Sequence, residues 1–307
     1  MGKKTNIILI TGFLGSGKTT FLNNVMRQIK DHTIDIIVND FGEIVVDTDI
    51  IKQENESITD SKLRIEELGN GSIFCSCLKP DLVNALVKYS KKTADFLVIE
   101  TSGLSDPSSF YVLLRESKEL GDYYSVSHSF CLIDSPKFLH LIQHMDILER
   151  QIRSCTNIIL NKVDLVDTKI LGEIESLIKT FNSQAKIFKA SYADFDFSQA
   201  QWNDPALKRQ YTGASGCNPR LLTTSSLLPQ IEITYDSLQR FLHQLEDEQI
   251  YRMKGYVSIG DNYFKIDGDP VQIEKVNGFI PSKLGISVIC QKGYEREIES
   301  HWSQLKS

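Results

Sequence analysis

Short apolar runs alternate with amphipathic stretches over the first two-thirds of the chain. Asn6–Ile10, Ile34–Asn39, Phe96–Thr101, Ser129–Asp134, Thr156–Asn161 and Lys186–Ala190 are mostly apolar and bounded by polar residues, which predicts strands. Between them, Lys18–Ile29, Pro80–Ser90, Pro136–Arg153 and Lys169–Phe181 place apolar residues at helical spacing. Strands that are apolar throughout are buried on both faces. The pattern therefore predicts an α/β fold whose mostly parallel sheet is covered by helices. Ligands in such folds bind beyond the carboxyl ends of the strands.

The pattern breaks after about Tyr192. We expect a first domain over residues 1–193 and a linker or insertion over 194–230, a stretch rich in Ser, Asn, Gly and Pro. A small α+β domain is expected over 231–307. In it Ile231–Tyr235 reads as a strand and Ser237–Asp247 as a helix. Arg252–Gly260 and Asn262–Asp267 read as a hairpin turning at Gly260-Asp261. Val271–Val276 and Gly285–Gln291 add strands, and Gly293–Leu305 a closing helix.

Composition adds limits. With 307 residues, 41% hydrophobic and 24% charged, the chain has the make-up of a globular protein with room for two domains. No apolar run reaches the ~18 residues of a membrane span. The net charge of −6 argues against nucleic acid as the main partner. Met-Gly-Lys-Lys leads straight into the first strand and leaves no room for a signal peptide, so the expected compartment is the cytoplasm. Cysteines there are mostly reduced, and a close pair reads first as a metal or redox site.

Candidate chemistry starts at the end of the first strand. Gly12-Phe-Leu-Gly-Ser-Gly-Lys-Thr-Thr20 is a G-x-x-x-x-G-K-[ST] phosphate loop, with a strand before it and a helix after it. Gly12, Leu14, Gly15, Ser16, Gly17 and Thr20 are the expected cradle, with bare N–H groups turned to phosphate oxygens. The Lys18 ammonium would reach the β- and γ-phosphates, and the Thr19 hydroxyl is the expected Mg2+ ligand.

Asn161-Lys162-Val163-Asp164 follows another apolar strand. An Asp carboxylate there accepts the hydrogens of guanine N1 and N2, a donor pair that adenine lacks, so the expected nucleotide is GTP. An ATPase of the same broad fold is disfavoured by Asp164. Asn161 would tie loops together, the Lys162 stem would lie along the base, and Ala190 would offer a backbone contact to the guanine oxygen. Glu100-Thr-Ser-Gly103 ends a third strand, where Gly103 would touch the γ-phosphate and Glu100 would bear on Mg2+ or its water.

Taken together, these residues resemble the CobW-like branch of the metallochaperone GTPases, relatives of the urease and hydrogenase nickel-insertion GTPases. The resemblance is carried by Thr11–Thr20, Val38–Glu43, Glu67–Leu82, Glu100–Pro107, Asn161–Asp164 and Arg252–Tyr256, and is poorest over 194–230. It implies GTP hydrolysis coupled to handling a transition metal or metal cofactor for a client metalloprotein. It places Asp40, Glu43 and Asp47 in a switch segment, with Asp47 a further Mg2+ ligand, and Asp40 stands where the family carries Glu. A homodimer is a common arrangement in this branch.

The family's Cys-x-Cys-Cys is altered. Gly71-Ser-Ile-Phe-Cys75-Ser-Cys77 keeps one of those cysteines and adds another. Residues two apart in an extended segment face one side, so Cys75 and Cys77 could share a soft ion such as Zn2+, with Asp40 or Glu43, a second subunit or a client protein completing the set. Buried reduced thiols and a thiol switch stay open as readings of the pair. Cys131, Cys155 and Cys290 read as structural. His140 and His144 lie four apart on an expected helix, a spacing commoner as plain surface than as a ligand pair. The expected function is a GTP-hydrolysing metallochaperone whose switch segments control metal delivery. A GTP-dependent partner of a corrinoid or other metalloenzyme, binding no free metal itself, is the alternative.

Overall fold

The computed structural model describes residues 4–39, 63–68, 80–91, 94–202, 222–228, 233–245, 250–268, 271–277, 280–281 and 283–305. They fall in two compact units, one holding the described residues up to 202 and the other those from 222 onward.

The first unit contains β1 (Thr5–Gly12), α1 (Lys18–Gln28), β2 (Ile34–Asn39), β3 (Leu63–Leu68), α2 (Pro80–Ser90) and β4 (Phe96–Glu100). It continues with α3 (Ser108–Glu116), α4 (Lys118–Tyr123), β5 (Tyr124–Asp134), α5 (Ser135–Leu141), α6 (Asp146–Ser154), β6 (Asn157–Asn161), α7 (Thr168–Phe181) and β7 (Lys186–Lys189). Its sheet has seven strands in the order β3-β2-β4-β1-β5-β6-β7, and every pairing is parallel. All carboxyl ends therefore emerge on one edge, where the phosphate loop, Glu100 and Asn161 sit.

Side-chain alternation along β1 explains why its run is apolar throughout. Ile8 and Ile10 enter one core with Phe21, Val25 and Met26 of α1. Ile7 and Leu9 enter the opposite core with Ala85 and Leu86 of α2 and Phe110 of α3. Burying a side chain of this size is worth about 1.5–3 kcal/mol. At the sheet edge, β3 is tied by Arg64, whose Nε and one terminal nitrogen each donate to the buried Asp35 carboxylate at 2.6 Å.

The stretch read as a linker is structured at both described ends. Phe195 packs on Phe21, Phe130 and Phe188, with ring centres 5.9, 5.8 and 4.7 Å away. Asn157 donates to the Gln201 carbonyl at 2.9 Å and accepts its N–H at 2.7 Å. The Asp-Phe-Asp-Phe alternation over 194–197 was the available signal. The expected helix over Pro136–Arg153 is two helices, α5 and α6, broken at 142–145 where Met145 turns extended. The strand expected over Ser129–Asp134 begins earlier, at Tyr124.

His128 lies in that early part of β5, buried against the rings of Phe197 and Trp202 at 4.8 and 4.5 Å. Burial disfavours its charged form and pulls its pKa down from 6.5 to about 4. The unfolded chain then binds a proton that the folded chain refuses. This stability is present above about pH 6.5 and is lost as pH falls toward about 4, by roughly 1.4 kcal/mol per pH unit. His128→Leu is expected to flatten that part of the stability profile, measured by denaturant midpoints between pH 7 and pH 4. An unchanged slope would sink this account.

The second unit is an antiparallel sheet in the order β11-β10-β9-β12-β8, built from β8 (Leu222–Leu227), β9 (Ile250–Ile259), β10 (Asn262–Gly268), β11 (Val271–Lys275) and β12 (Gly285–Gln291). Its core joins Met253, Val257 and Val288 to Leu238 and Phe241 of α8 (Tyr235–Gln244) and Trp302 of α9 (Glu295–Ser303). The strand expected over Ile231–Tyr235 is absent at its described residues. Thr234 instead caps α8 in a capping box: Ser237 N–H donates to the Thr234 hydroxyl at 3.1 Å, and Thr234 N–H to the Ser237 hydroxyl at 3.0 Å. The sheet takes β8 from within the expected linker.

Candidate functional site

The phosphate loop connects β1 to α1 through three glycines with positive φ, namely Gly12 (+144°), Gly15 (+71°) and Gly17 (+96°). A Cβ at Gly12 would run into the Leu132 backbone, and one at Gly17 would stand 2.5 Å from Asn161 Nδ2. Ser16 Oγ donates to the Phe13 carbonyl at 2.8 Å, and Lys18 Nζ donates to the same carbonyl at 3.0 Å. Lys18 is buried, so its ammonium is held over the loop rather than extended into solvent.

The expected Mg2+ ligands Thr19 and Glu100 meet. The Thr19 hydroxyl donates to Glu100 Oε1 at 3.1 Å, and Glu100 is buried at the end of β4. Two hard oxygen donors beside a phosphate cradle suit Mg2+, which takes one or two protein oxygens and completes its octahedron with phosphates and water. Among the described residues, the buried hydroxyls of Thr101 and Ser102 have no hydrogen-bond partner. Gly103 is pressed against Leu14, where an added Cβ would lie 2.8 Å from the Leu14 nitrogen. The Glu100–Gly103 turn thus sits directly against the phosphate loop.

Asn161 holds the other side together. Its Nδ2 donates to the Ser16 carbonyl at 2.9 Å, and its Oδ1 accepts the Ala193 N–H at 2.8 Å. Lys162 takes a left-handed conformation (φ 59°), and its ammonium pairs with Asp134 Oδ2 at 2.6 Å. The next turn carries Asp164, exposed, and is fixed by Val163 N–H donating to the Ala190 carbonyl at 3.2 Å. Ala190's own N–H is taken by the Leu160 carbonyl at 2.8 Å. A backbone contact to a guanine oxygen would therefore come from further along this loop than Ala190. Thr20 is exposed on α1.

Several positioning residues escaped the sequence reading. Buried Gln151 of α6 donates to the Gly103 and Ser105 carbonyls at 3.1 and 3.2 Å and so holds the Glu100–Gly103 turn. Asn24 of α1 donates to the Ala193 carbonyl at 3.0 Å. The Ser135 hydroxyl donates to the Asn161 carbonyl at 2.6 Å. Polar residues on amphipathic helices, of which Gln151 and Asn24 are two, carry no local pattern that marks such a role.

Residues 6–189 match the family model described as CobW/HypB/UreG, nucleotide-binding domain. The chain belongs to this family. It is 30% identical to the zinc-regulated GTPase metalloprotein activator 1 of Dictyostelium discoideum, over 62% of this chain and 46% of that protein. It is 29% identical to the zinc chaperone YjiA of Escherichia coli, over 62% of this chain and 58% of that protein. The chain spans about half the length of the curated relatives it matches. The crystal structure of Zn(II)-bound YjiA GTPase from E. coli superposes over 100% of both chains with a TM-score of 0.50 at 17% identity, a likeness of fold. The range matched by the CobW/HypB/UreG model takes in the phosphate loop, the Glu100 turn and Asn161–Asp164.

The expected metal residues Cys75, Cys77, Asp40 and Glu43, and Asp47, lie outside the described residues. Cys131, Cys155 and Cys290 are buried. Burial pushes the Cys131 and Cys290 thiols up to about 12, which keeps both as neutral core groups. Among the described residues, no group of three or more His, Cys, Asp or Glu side chains is arranged to hold a metal ion. No helix among them is long and apolar enough to cross a membrane.

Proposed function

We propose that this protein binds and hydrolyses GTP with Mg2+ and uses the hydrolysis cycle to control binding or delivery of a transition metal to a client metalloprotein. The observation that carries the reading is the Thr19–Glu100 hydrogen bond at 3.1 Å beside Lys18 and the three left-handed glycines. Thr19 and Glu100 would hold Mg2+, which would supply charge neutralisation at the phosphates.

The chain's own residues supply the rest. The loop N–H groups and the amino end of α1 face the phosphates. Lys18 places a fixed positive charge where negative charge develops on the transferred group. Glu100, or a switch carboxylate such as Asp47, orients the attacking water, and Gly103 N–H senses the γ-phosphate. Asp164 accepts from guanine while Lys162, anchored by Asp134, lies along the base.

Cys75 and Cys77 are the proposed soft-metal ligands, with Asp40 or Glu43 completing the set around Zn2+ or a similar ion. In sequence they lie between the Asp40–Asp47 segment and the Glu100 turn, so metal affinity and nucleotide state are reciprocally linked. The zinc-chaperone names of the relatives support this, and the cytoplasm is the proposed setting. A homodimer formed across the nucleotide faces is the proposed assembly.

Metal analysis of anaerobically purified protein, with and without Cys75→Ser/Cys77→Ser, tests the metal step. The double variant is expected to lose at least ~10-fold in Zn2+ affinity while retaining GTP turnover. Unchanged metal affinity would transfer the assignment to a GTP-dependent partner that binds no metal through these cysteines.

A further inference from the structure

We propose that His140 and His144 are the two protein ligands of a separate surface site for a borderline divalent ion such as Zn2+, Co2+ or Ni2+. The proposal does not depend on the role of Cys75 and Cys77.

His140-Leu-Ile-Gln-His144 has the i, i+4 spacing of the two histidines that chelate zinc in H-E-x-x-H helices. α5 ends at Leu141, and the chain runs on from it in a turn that keeps helix-like hydrogen bonds. Ile142 N–H donates to the Phe138 carbonyl at 2.9 Å, His144 N–H to Leu141 at 3.0 Å and Met145 N–H to Leu141 at 2.9 Å. Both histidines are exposed, so an ion reaches them from solvent.

The ring geometry is the deciding observation. The two ring centres lie 5.3 Å apart, with the ring planes inclined at 62°. A coordinating imidazole nitrogen sits about 2.0–2.1 Å from zinc, and the ring centre lies about 1.1 Å behind it. Two rings at a tetrahedral angle then have centres about 5.2 Å apart. The pair already stands at that separation. Imidazole donors select borderline ions over Mg2+.

Two protein ligands leave the remaining positions to water or to a donor from another molecule. That is the coordination of an exchange site rather than of a closed structural one. α5 connects the site to the nucleotide edge. Its N-cap, Asp134, is the partner of Lys162, and its body packs on the Asp164 turn and on α7.

Competition against a chromophoric chelator with Zn2+ and Co2+ tests the site on the full chain. In a Cys75→Ser/Cys77→Ser background, one Zn2+ is expected to remain bound per chain. Adding His140→Gln or His144→Gln singly is expected to weaken it at least ~10-fold, and excess Mg2+ is expected not to compete. Because both positions are exposed, the melting temperature should stay that of the parent. A background protein that binds no ion, or one whose affinity is unchanged by both His substitutions, would overturn the assignment. Either result leaves the cysteine reading to be judged on its own variant.

Discussion

GTP turnover by a Lys18→Met protein is expected to fall by ~10²–10³-fold, the usual loss when one preorganised positive or hydrogen-bonding group is removed from a transition state. Lys18 is buried, with its ammonium 3.0 Å from the Phe13 carbonyl at the centre of the loop. Methionine keeps most of the apolar stem and removes the charge, which separates electrostatics from packing. Single-turnover hydrolysis under saturating GTP reads the effect, and thermal melting checks the fold. Turnover within about threefold of the parent would mean that Lys18 is not the catalytic cation.

The second large effect concerns the base. Asp164→Asn is expected to weaken GTP binding at least ~10²-fold and to remove discrimination against ATP, because an amide N–H₂ would then face the guanine N1 and N2 donors. Xanthosine triphosphate, which carries a carbonyl where guanine has its amino group, should bind this variant better than GTP does. The turn itself is secured by Val163 N–H to Ala190 and by Leu165 N–H donating to Lys162 at 3.1 Å, and Asp164 is exposed, so stability should change by less than ~1 kcal/mol. Titration of the three nucleotides decides the matter; a variant that keeps the parent's GTP preference would remove Asp164 as the base-reading residue.

Much of the first unit was legible because its signals are local. β1, β2 and β6 are apolar runs closed by Gly12, Asn39 and Asn161, and the loop's positive-φ positions favour the glycines that its motif displays. β3 and the helices over 108–123 were not legible. Leu63–Leu68 reads Leu-Arg-Ile-Glu-Glu-Leu, and its place at the sheet edge comes from parallel pairing with β2 and from the Arg64–Asp35 pair, two residues 29 positions apart. β8 escaped for a similar reason. Leu-Thr-Thr-Ser-Ser-Leu has a polar middle, and it is a strand because β12 offers it an unpaired edge.

Local chemistry was enough to single out three candidate elements in order: the glycine spacing of the loop, Glu100-Thr-Ser-Gly103 after one apolar strand, and Asn161–Asp164 after another. Hydrophobic periodicity and turn chemistry act over a few residues, so a sequence displays them directly. Bringing those elements to one edge is a matter of strand order, which depends on crossover connections and on both faces of the sheet finding cover. Only the folded chain decided that Thr19 meets Glu100, that Asn161 bridges Ser16 to Ala193, and that Ala190 spends its N–H on Leu160. These contacts join residues from 30 to 145 positions apart, and no local propensity encodes a pairing at that distance.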